Sequence, residues 1–369
     1  MRMKWNSSNT YIFLFNVNRG LSIFIRLPNN KAIIYDVGKS EFQPLSFIKN
    51  HIFYKLKTPK PIKQIILSHP HLDHIAELKY LKKKWSLFSP SLLTCPHDKS
   101  NDEKVNWKRI NNPDGEETKK ILKIYRRLYE KRCLPLQCPY PDEQDQYDVE
   151  FGLFYIKPPI CEKLFPPQKN QEYTNSLSLV FWYRHGKNTI LIPGDITPKA
   201  MEYLLKEENG VEKRFSILNS KEMRKFENWH KKNLNQPSLK ELLKNGLTIL
   251  VAPHHGLESG FSKELYEAIK GGKPDLVLIS EKRHTGQNDG QVAPNYQLSE
   301  GANGLIVNIE KVDNSGKIYT EEEERYSLST RNNHHILVVF KNSGKPEVYA
   351  RKDPKKLIKI IESSYESSS

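Results

Sequence analysis

Three imidazoles and a carboxylate fall within one short stretch, His69-Pro70-His71-Leu72-Asp73-His74. Crowding these groups together is costly unless a cation compensates. Imidazole with carboxylate suits Zn, Mn or Fe rather than Ca or Mg alone. The spacing lets His69 and His71 hold one ion while Asp73 and His74 reach a second. The expected cofactor is therefore one or two divalent transition-metal ions, Zn or Mn. A chance cluster on a surface loop is the competing explanation, and a buried strand running directly into the cluster argues against it.

That strand is Ile62 to Leu67, whose apolar residues predict burial on both faces. After the cluster, Ile75, Leu78, Leu81 and Trp85 recur at helical spacing, with Lys79, Lys82, Lys83 and Lys84 mostly off that stripe. Upstream, Tyr11–Val17, Leu21–Leu27 and Lys31–Asp36 read as a meander, with turns at Asn18-Arg19-Gly20 and Pro28-Asn29-Asn30. Strands resume at Ser176–Tyr183 and Thr189–Pro193 around an Arg184–Asn188 hairpin, then at Leu247–Ala252, Leu276–Ser280 and Ile336–Phe340. Helices are expected at Pro198–Leu205 and Ser238–Asn245. The order suggests two sheets stacked between helices.

Residues 86–167 differ in texture, being rich in Pro, Asn and charge, and read as an insertion on one domain spanning residues 1–350. It contains an amphipathic helix, Glu116–Arg132. Its Ile121, Ile124, Tyr125, Leu128 and Tyr129 form one face, and Lys119, Lys120, Lys123, Arg126 and Arg127 the rest. This insertion is a candidate protein-contact surface. A C-terminal helix or tail, 351–369, is expected to end in disorder.

Net charge is +15 over 369 residues, which points to an anionic partner, nucleic acid or nucleotide, although abundant lysine also simply solvates a surface. No stretch has the roughly 18 apolar residues of a membrane helix, and the N-terminus lacks a signal-peptide pattern. A cytoplasmic protein without a membrane association is expected. Cys95, Cys133, Cys138 and Cys161 are too sparse for a disulfide framework and read as reduced thiols.

The His69–His74 block resembles the signature of the metallo-β-lactamase superfamily, and further pieces match in chain order. Tyr35-Asp36-Val37-Gly38 resembles the turn that precedes the signature. Ile192-Pro193-Gly194-Asp195 resembles the element whose carboxylate bridges two metals, and Pro253-His254-His255-Gly256 resembles the late histidine. The resemblance implies an α/β fold, the metallo-β-lactamase αββα sandwich of two mixed β-sheets between helices, here with a helical, charged insertion. It also implies a second metal site from Asp73, His74, Asp195 and His254 or His255.

The run Asn175–Val180, the hairpin and Leu191–Asp195 are most similar to the hydrolase domain of the ComEC family of DNA-uptake proteins. Pro274–Ser280 and Ser329-Thr330-Arg331 resemble that family's closing strands. One position departs from the superfamily pattern, because Asn175 stands where a third histidine for the first metal is usual. His185 falls in the same interval, but within a hairpin turn that favours a solvated role.

Such a site is expected to make the protein a metal-dependent hydrolase, a phosphodiesterase or nuclease using a hydroxide that bridges the metals. Asp73 would orient the nucleophile, and His255 or His284 would donate to the leaving oxygen. Asn175, Thr330 and Arg331 are candidate substrate contacts, and Lys123, Arg126 and Arg127 a candidate track for a phosphate backbone. Asp36 is expected to be a structural turn residue, and His334 and His335 to be incidental. Hydrolysis of a small lactone, thioester or β-lactam is the alternative, as is a partner-dependent module with weak activity.

Overall fold

The computed structural model describes residues 5–53, 62–96, 105–131, 148–206, 237–281, 292–332 and 334–366. Among them, β1 (Thr10–Leu14), β2 (Ile23–Arg26), β3 (Ala32–Tyr35), β4 (Ile62–Ile66), β5 (Leu92–Thr94), β11 (Leu305–Val312), β12 (Ile318–Arg325), β14 (His335–Phe340) and β15 (Glu347–Arg351) form one sheet. Its order is β12-β11-β15-β14-β1-β2-β3-β4-β5. β6 (Val149–Phe154), β7 (Val180–His185), β8 (Asn188–Ile192), β9 (Ile249–Val251), β10 (Leu276–Ile279) and β13 (Ser327–Ser329) form the other, ordered β13-β10-β9-β8-β7-β6. Both sheets mix parallel and antiparallel pairs.

Side-chain alternation explains the layering. Ile12 and Leu14 of β1 meet Phe181, Ile190, Ile192, Ile249 and Val251 of the second sheet in a core between the sheets. The alternate residues, such as Phe13 and Ile34 in one sheet and Leu191 and Leu250 in the other, pack in a cluster with helical residues including Ile121, Leu204, Leu265 and Leu357. A strand covered on both faces must be apolar at nearly every position, and ILV in β9 and NTILI in β8 follow that rule. This is the expected αββα sandwich.

Several boundaries differ from expectation. Residues 86–167 contribute β5, parallel to β4, and β6, antiparallel to β7, so both sheets reach into the segment set apart as an insertion. The segment Asn170–Ser176 is a helix, and the strand expected from Ser176 begins only at Val180. The stripe after the metal cluster is not one helix but three short ones, Leu72–Ile75, Leu78–Lys83 and Trp85–Phe88. The first break has a local cause: Val37 N–H donates to the His74 carbonyl and Glu77 N–H donates to the Val37 carbonyl, which removes both groups from a continuous helical ladder. The C-terminal helix Pro354–Glu366 extends into the serine-rich tail expected to be disordered. Cys95 is disulfide-bonded, against the expectation of four reduced thiols, while Cys161 is free and buried. Among the described residues no helix is long and apolar enough to cross a membrane.

Candidate metal centre

The strands that lead to the site run parallel to one another within each sheet. β3, β4 and β5 do so in one sheet, and β8, β9, β10 and β13 in the other. The signature loop leaves the C-terminal end of β4, Asp195 follows β8, and His255 follows β9. Loops at the carboxyl ends of parallel strands converge on a crevice, the usual place for a ligand in such sheets.

Asp36 follows β3 in a left-handed conformation, with φ of 57°. Its Oδ1 accepts the Ser68 N–H at 2.6 Å and its Oδ2 accepts the Ser68 hydroxyl at 2.6 Å. The same Oδ2 lies 2.7 Å from His74 Nδ1. Asp36 is thus no ligand. It orients the His74 ring and fixes its tautomer, so that Nε2 faces inward. Gly38 has no room for a Cβ, which would collide with the Asp73 carbonyl oxygen, and this close approach seats the signature loop against the first sheet.

Among the described residues two groups of ligand atoms result, each with its atoms within 4.8 Å of one another: Asp73, His74, Asp195 and His255, and His69, His71 and Asp195. His74 Nε2 lies 3.1 Å from Asp195 Oδ1, and His255 Nε2 lies 3.3 Å from Asp73 Oδ2 and 3.5 Å from Asp195 Oδ2. His69 Nε2 lies 3.0 Å from His71 Nδ1 and 3.9 Å from Asp195 Oδ2. Asp195 belongs to both groups. Its N–H donates to Ser178 Oγ at 3.0 Å, and that hydroxyl also lies 3.3 Å from His69 Nδ1.

The donors fit transition-metal ions. His74 Nε2 and His255 Nε2 are buried close to carboxylates, yet neither has a hydrogen-bond partner among the described residues. A buried polar atom left this way costs free energy, and a cation at the centre would remove that cost. The electrostatics divide the groups. Burial holds His69 well below the ordinary imidazole value and lowers His71 to about 4, so both present neutral lone pairs. Burial also opposes charging of His74, but Asp195, Asp36 and Asp73 together outweigh it and raise this imidazole well above its usual value. His255 behaves in the same way, with burial outweighed by Asp195 and Asp73, and is raised to about 9.

The tandem histidines separate in role. His254 and His255 both adopt left-handed backbone, with φ of 49° and 59°. Such strain in non-glycine residues concentrates at functional sites. The turn buries His255 among the ligands and leaves His254 at the cleft, with Nδ1 2.8 Å from Ser259 Oγ. The cleft measures about 930 Å³, and Arg19, Lys39, Leu72, Asn112 and Gln171 are among the residues that line it.

Other expected site residues are not among those that line the cleft. Asn175 is 2% exposed, and its Oδ1 has no hydrogen-bond partner among the described residues. His185 is buried rather than solvated, with Nδ1 2.9 Å from Thr10 Oγ1 and Nε2 against Asn342 Oδ1, because its hairpin end is covered by the opposite sheet. Thr330 Oγ1 donates to the Glu281 carbonyl and Arg331 pairs with the Glu281 carboxylate at 2.7 Å, so both are engaged away from the cleft lining. Lys123, Arg126 and Arg127 are exposed, whereas Glu117 and Ile121 are the residues of that helix that line the cleft. Arg126 is held by Glu130 at 3.0 Å and lies over the Trp107 ring. His334 and His335 hydrogen-bond near Glu310 and Asn16, outside the ligand groups. His284 lies outside the described residues. Sequence reasoning missed Arg19, Lys39, Asn112 and Ser178; Arg19 beside Gly20 in a turn between strands was the nearest to a signal.

Residues 16–87 match the metallo-beta-lactamase superfamily. No curated protein matches the chain. Among solved structures, the metallo-beta-lactamase fold protein YhfI from Bacillus subtilis is similar at 11% identity with a TM-score of 0.32, over 75% of this chain and 88% of that one.

Proposed function

We propose that this chain, whose residues 16–87 match the metallo-β-lactamase superfamily, is a metallo-hydrolase that cleaves phosphodiester bonds in nucleic acid or nucleotides. The observation that carries this reading is two ligand groups sharing Asp195 beside a cleft that Arg19 and Lys39 also line. Divalent ions bound there would supply Lewis acidity toward a phosphoryl oxygen and lower the pKa of a water. The chain's own residues do the remaining work. Asp195 would join the two positions, and Asp36 would hold His74 in its ligand tautomer. Asp73, with its side chain 38% exposed, faces the cleft and would orient the attacking water. Arg19 and Lys39 supply positive charge for a phosphate oxygen. His255 stands among the ligand atoms, and His284, the other donor expected for the leaving oxygen, lies outside the described residues.

The likeness of Asn175–Val180 and Leu191–Asp195 to the ComEC hydrolase domain supports the same substrate class. Apolar cleft residues Leu72, Ala76, Ile121 and Leu257 favour, as a second reading, a small ester-like substrate. A substrate panel separates the two. Purified protein with Zn, Mn or Mg is offered bis(4-nitrophenyl) phosphate, a single-stranded oligonucleotide, a lactone and a thioester. Metal-dependent turnover of the phosphodiesters, lost in Asp195→Asn, is expected. Turnover confined to the lactone or thioester would replace this reading with the second.

A further inference from the structure

One side chain outside the ligand set grips the metal-binding loop on both sides of a ligand. Asn112 Oδ1 accepts the Leu72 N–H at 2.7 Å, and Asn112 Nδ2 donates to the Pro70 carbonyl at 2.8 Å. These two groups flank His71. Leu72 begins the helix Leu72–Ile75, whose N-cap His71 makes no side-chain cap bond. The first N–H groups of a helix have no partner within it, so Asn112 provides a cap from a remote segment.

The segment that delivers Asn112 is itself tied down. Asn111 N–H donates to Thr174 Oγ1 at 3.1 Å, and Arg109 Nε donates to Asn170 Oδ1 at 3.1 Å. The Arg109 guanidinium also donates to the Pro166 carbonyl at 2.9 Å and lies over the Tyr173 ring at 4.3 Å. Residues 109–112 therefore strap the helix Asn170–Ser176, which carries Asn175, to the loop that carries His71.

We propose that Asn112 is a positioning residue for the His69–His71 metal site. Its planar carboxamide fixes the separation of the Pro70 carbonyl and the Leu72 N–H, and with it the backbone from which His71 projects toward His69. Water could satisfy either group alone but would not hold the two together. The His69–His71–Asp195 group offers three protein donors against four in its neighbour, so displacement of one imidazole costs it more. The proposal rests on that group binding an ion and is independent of the substrate.

Zn titrations of the metal-free full-length protein by calorimetry test this, with Asn112→Ala, Asn112→Asp and His71→Ala beside the wild type. His71→Ala identifies which binding class belongs to the His69–His71 site. Asn112→Ala should weaken that same class about tenfold, equivalent to about 1.4 kcal/mol, and leave the other class within about twofold. Asn112→Asp keeps the acceptor and loses the donor, and should fall between. Equal weakening of both classes, or a lowered Tm with both affinities unchanged, would reduce Asn112 to a general packing role and overturn the proposal. A wild type that binds one ion only would also overturn it, while leaving the hydrolase reading to stand on the Asp73–His74–Asp195–His255 group.

Discussion

The two ligand groups around Asp195 differ in how they meet the cost of burial. In the His69–His71 group, burial strips the imidazoles of charge, and the shared Asp195 is the group's single carboxylate. In the other, two carboxylates face two imidazoles that their field holds charged, with Asp36 behind His74 as a third acid. The second group has more donors and more negative charge to offer a cation. It should bind tightly, and the first should bind loosely. If Asn175 stands in place of a third imidazole, as the sequence resemblance implies, the difference deepens.

The largest expected effect comes from the residue common to both groups. Asp195→Asn removes the shared charge, so metal content should fall at both positions and hydrolysis should be lost while circular dichroism stays native. Unchanged stoichiometry would break the comparison at its centre. Asp36→Asn acts directly on His74 and reaches His69 only through the Ser68 hydroxyl. It should weaken the tighter site by about 10- to 100-fold, the usual effect of losing an orienting partner, and spare the looser one. Asn175→His should move in the opposite direction, tightening the looser site several-fold in the same titration; no change would mean that the side chain does not reach the ion.

Acid–base behaviour sharpens the contrast. A folded-state imidazole raised from 6.5 to about 9, as at His255, stabilises the metal-free protein fully below 6.5, and that contribution drains away as pH rises through about 9. The Tm of the metal-free protein should therefore fall over that window. Metal must displace the same proton, so affinity at this site should weaken as pH drops below 9. His69 and His71 are already neutral, and affinity at their site should be flat down to about 4 as judged from His71. The smallest effect is expected from Lys123, Arg126 and Arg127, which are not among the cleft-lining residues. Replacing all three should leave cleavage of a small phosphodiester intact and should alter only the salt dependence of polynucleotide binding.

The ligands were legible in the sequence because they are local or come directly after apolar strands. His69, His71, Asp73 and His74 sit in one six-residue stretch of loop and short helix after β4, and Asp195 and His255 each follow a buried run, NTILI and ILV. Choosing His255 over His254 required the left-handed turn, which spacing does not encode. The supporting residues were hidden for a different reason. Ser178 and Asn112 act across 109 and 40 residues of chain, through side-chain hydrogen bonds that leave no periodic trace. β12, Ile318–Arg325, escaped because an edge strand exposed along its length needs no apolar alternation. Thr330 and Arg331 misled because their partner, Glu281, is distant in sequence.

The most direct test is calorimetric titration of the metal-free wild type with Zn at pH 7.5. The unequal make-up of the two ligand groups predicts two ions per chain in two resolved steps, the first at least about tenfold tighter than the second and accompanied by proton release. Asp36→Asn should blunt the first step, and His71→Ala should erase the second. Two steps of equal affinity, or a tighter step that survives Asp36→Asn and disappears with His71→Ala, would contradict the assignment.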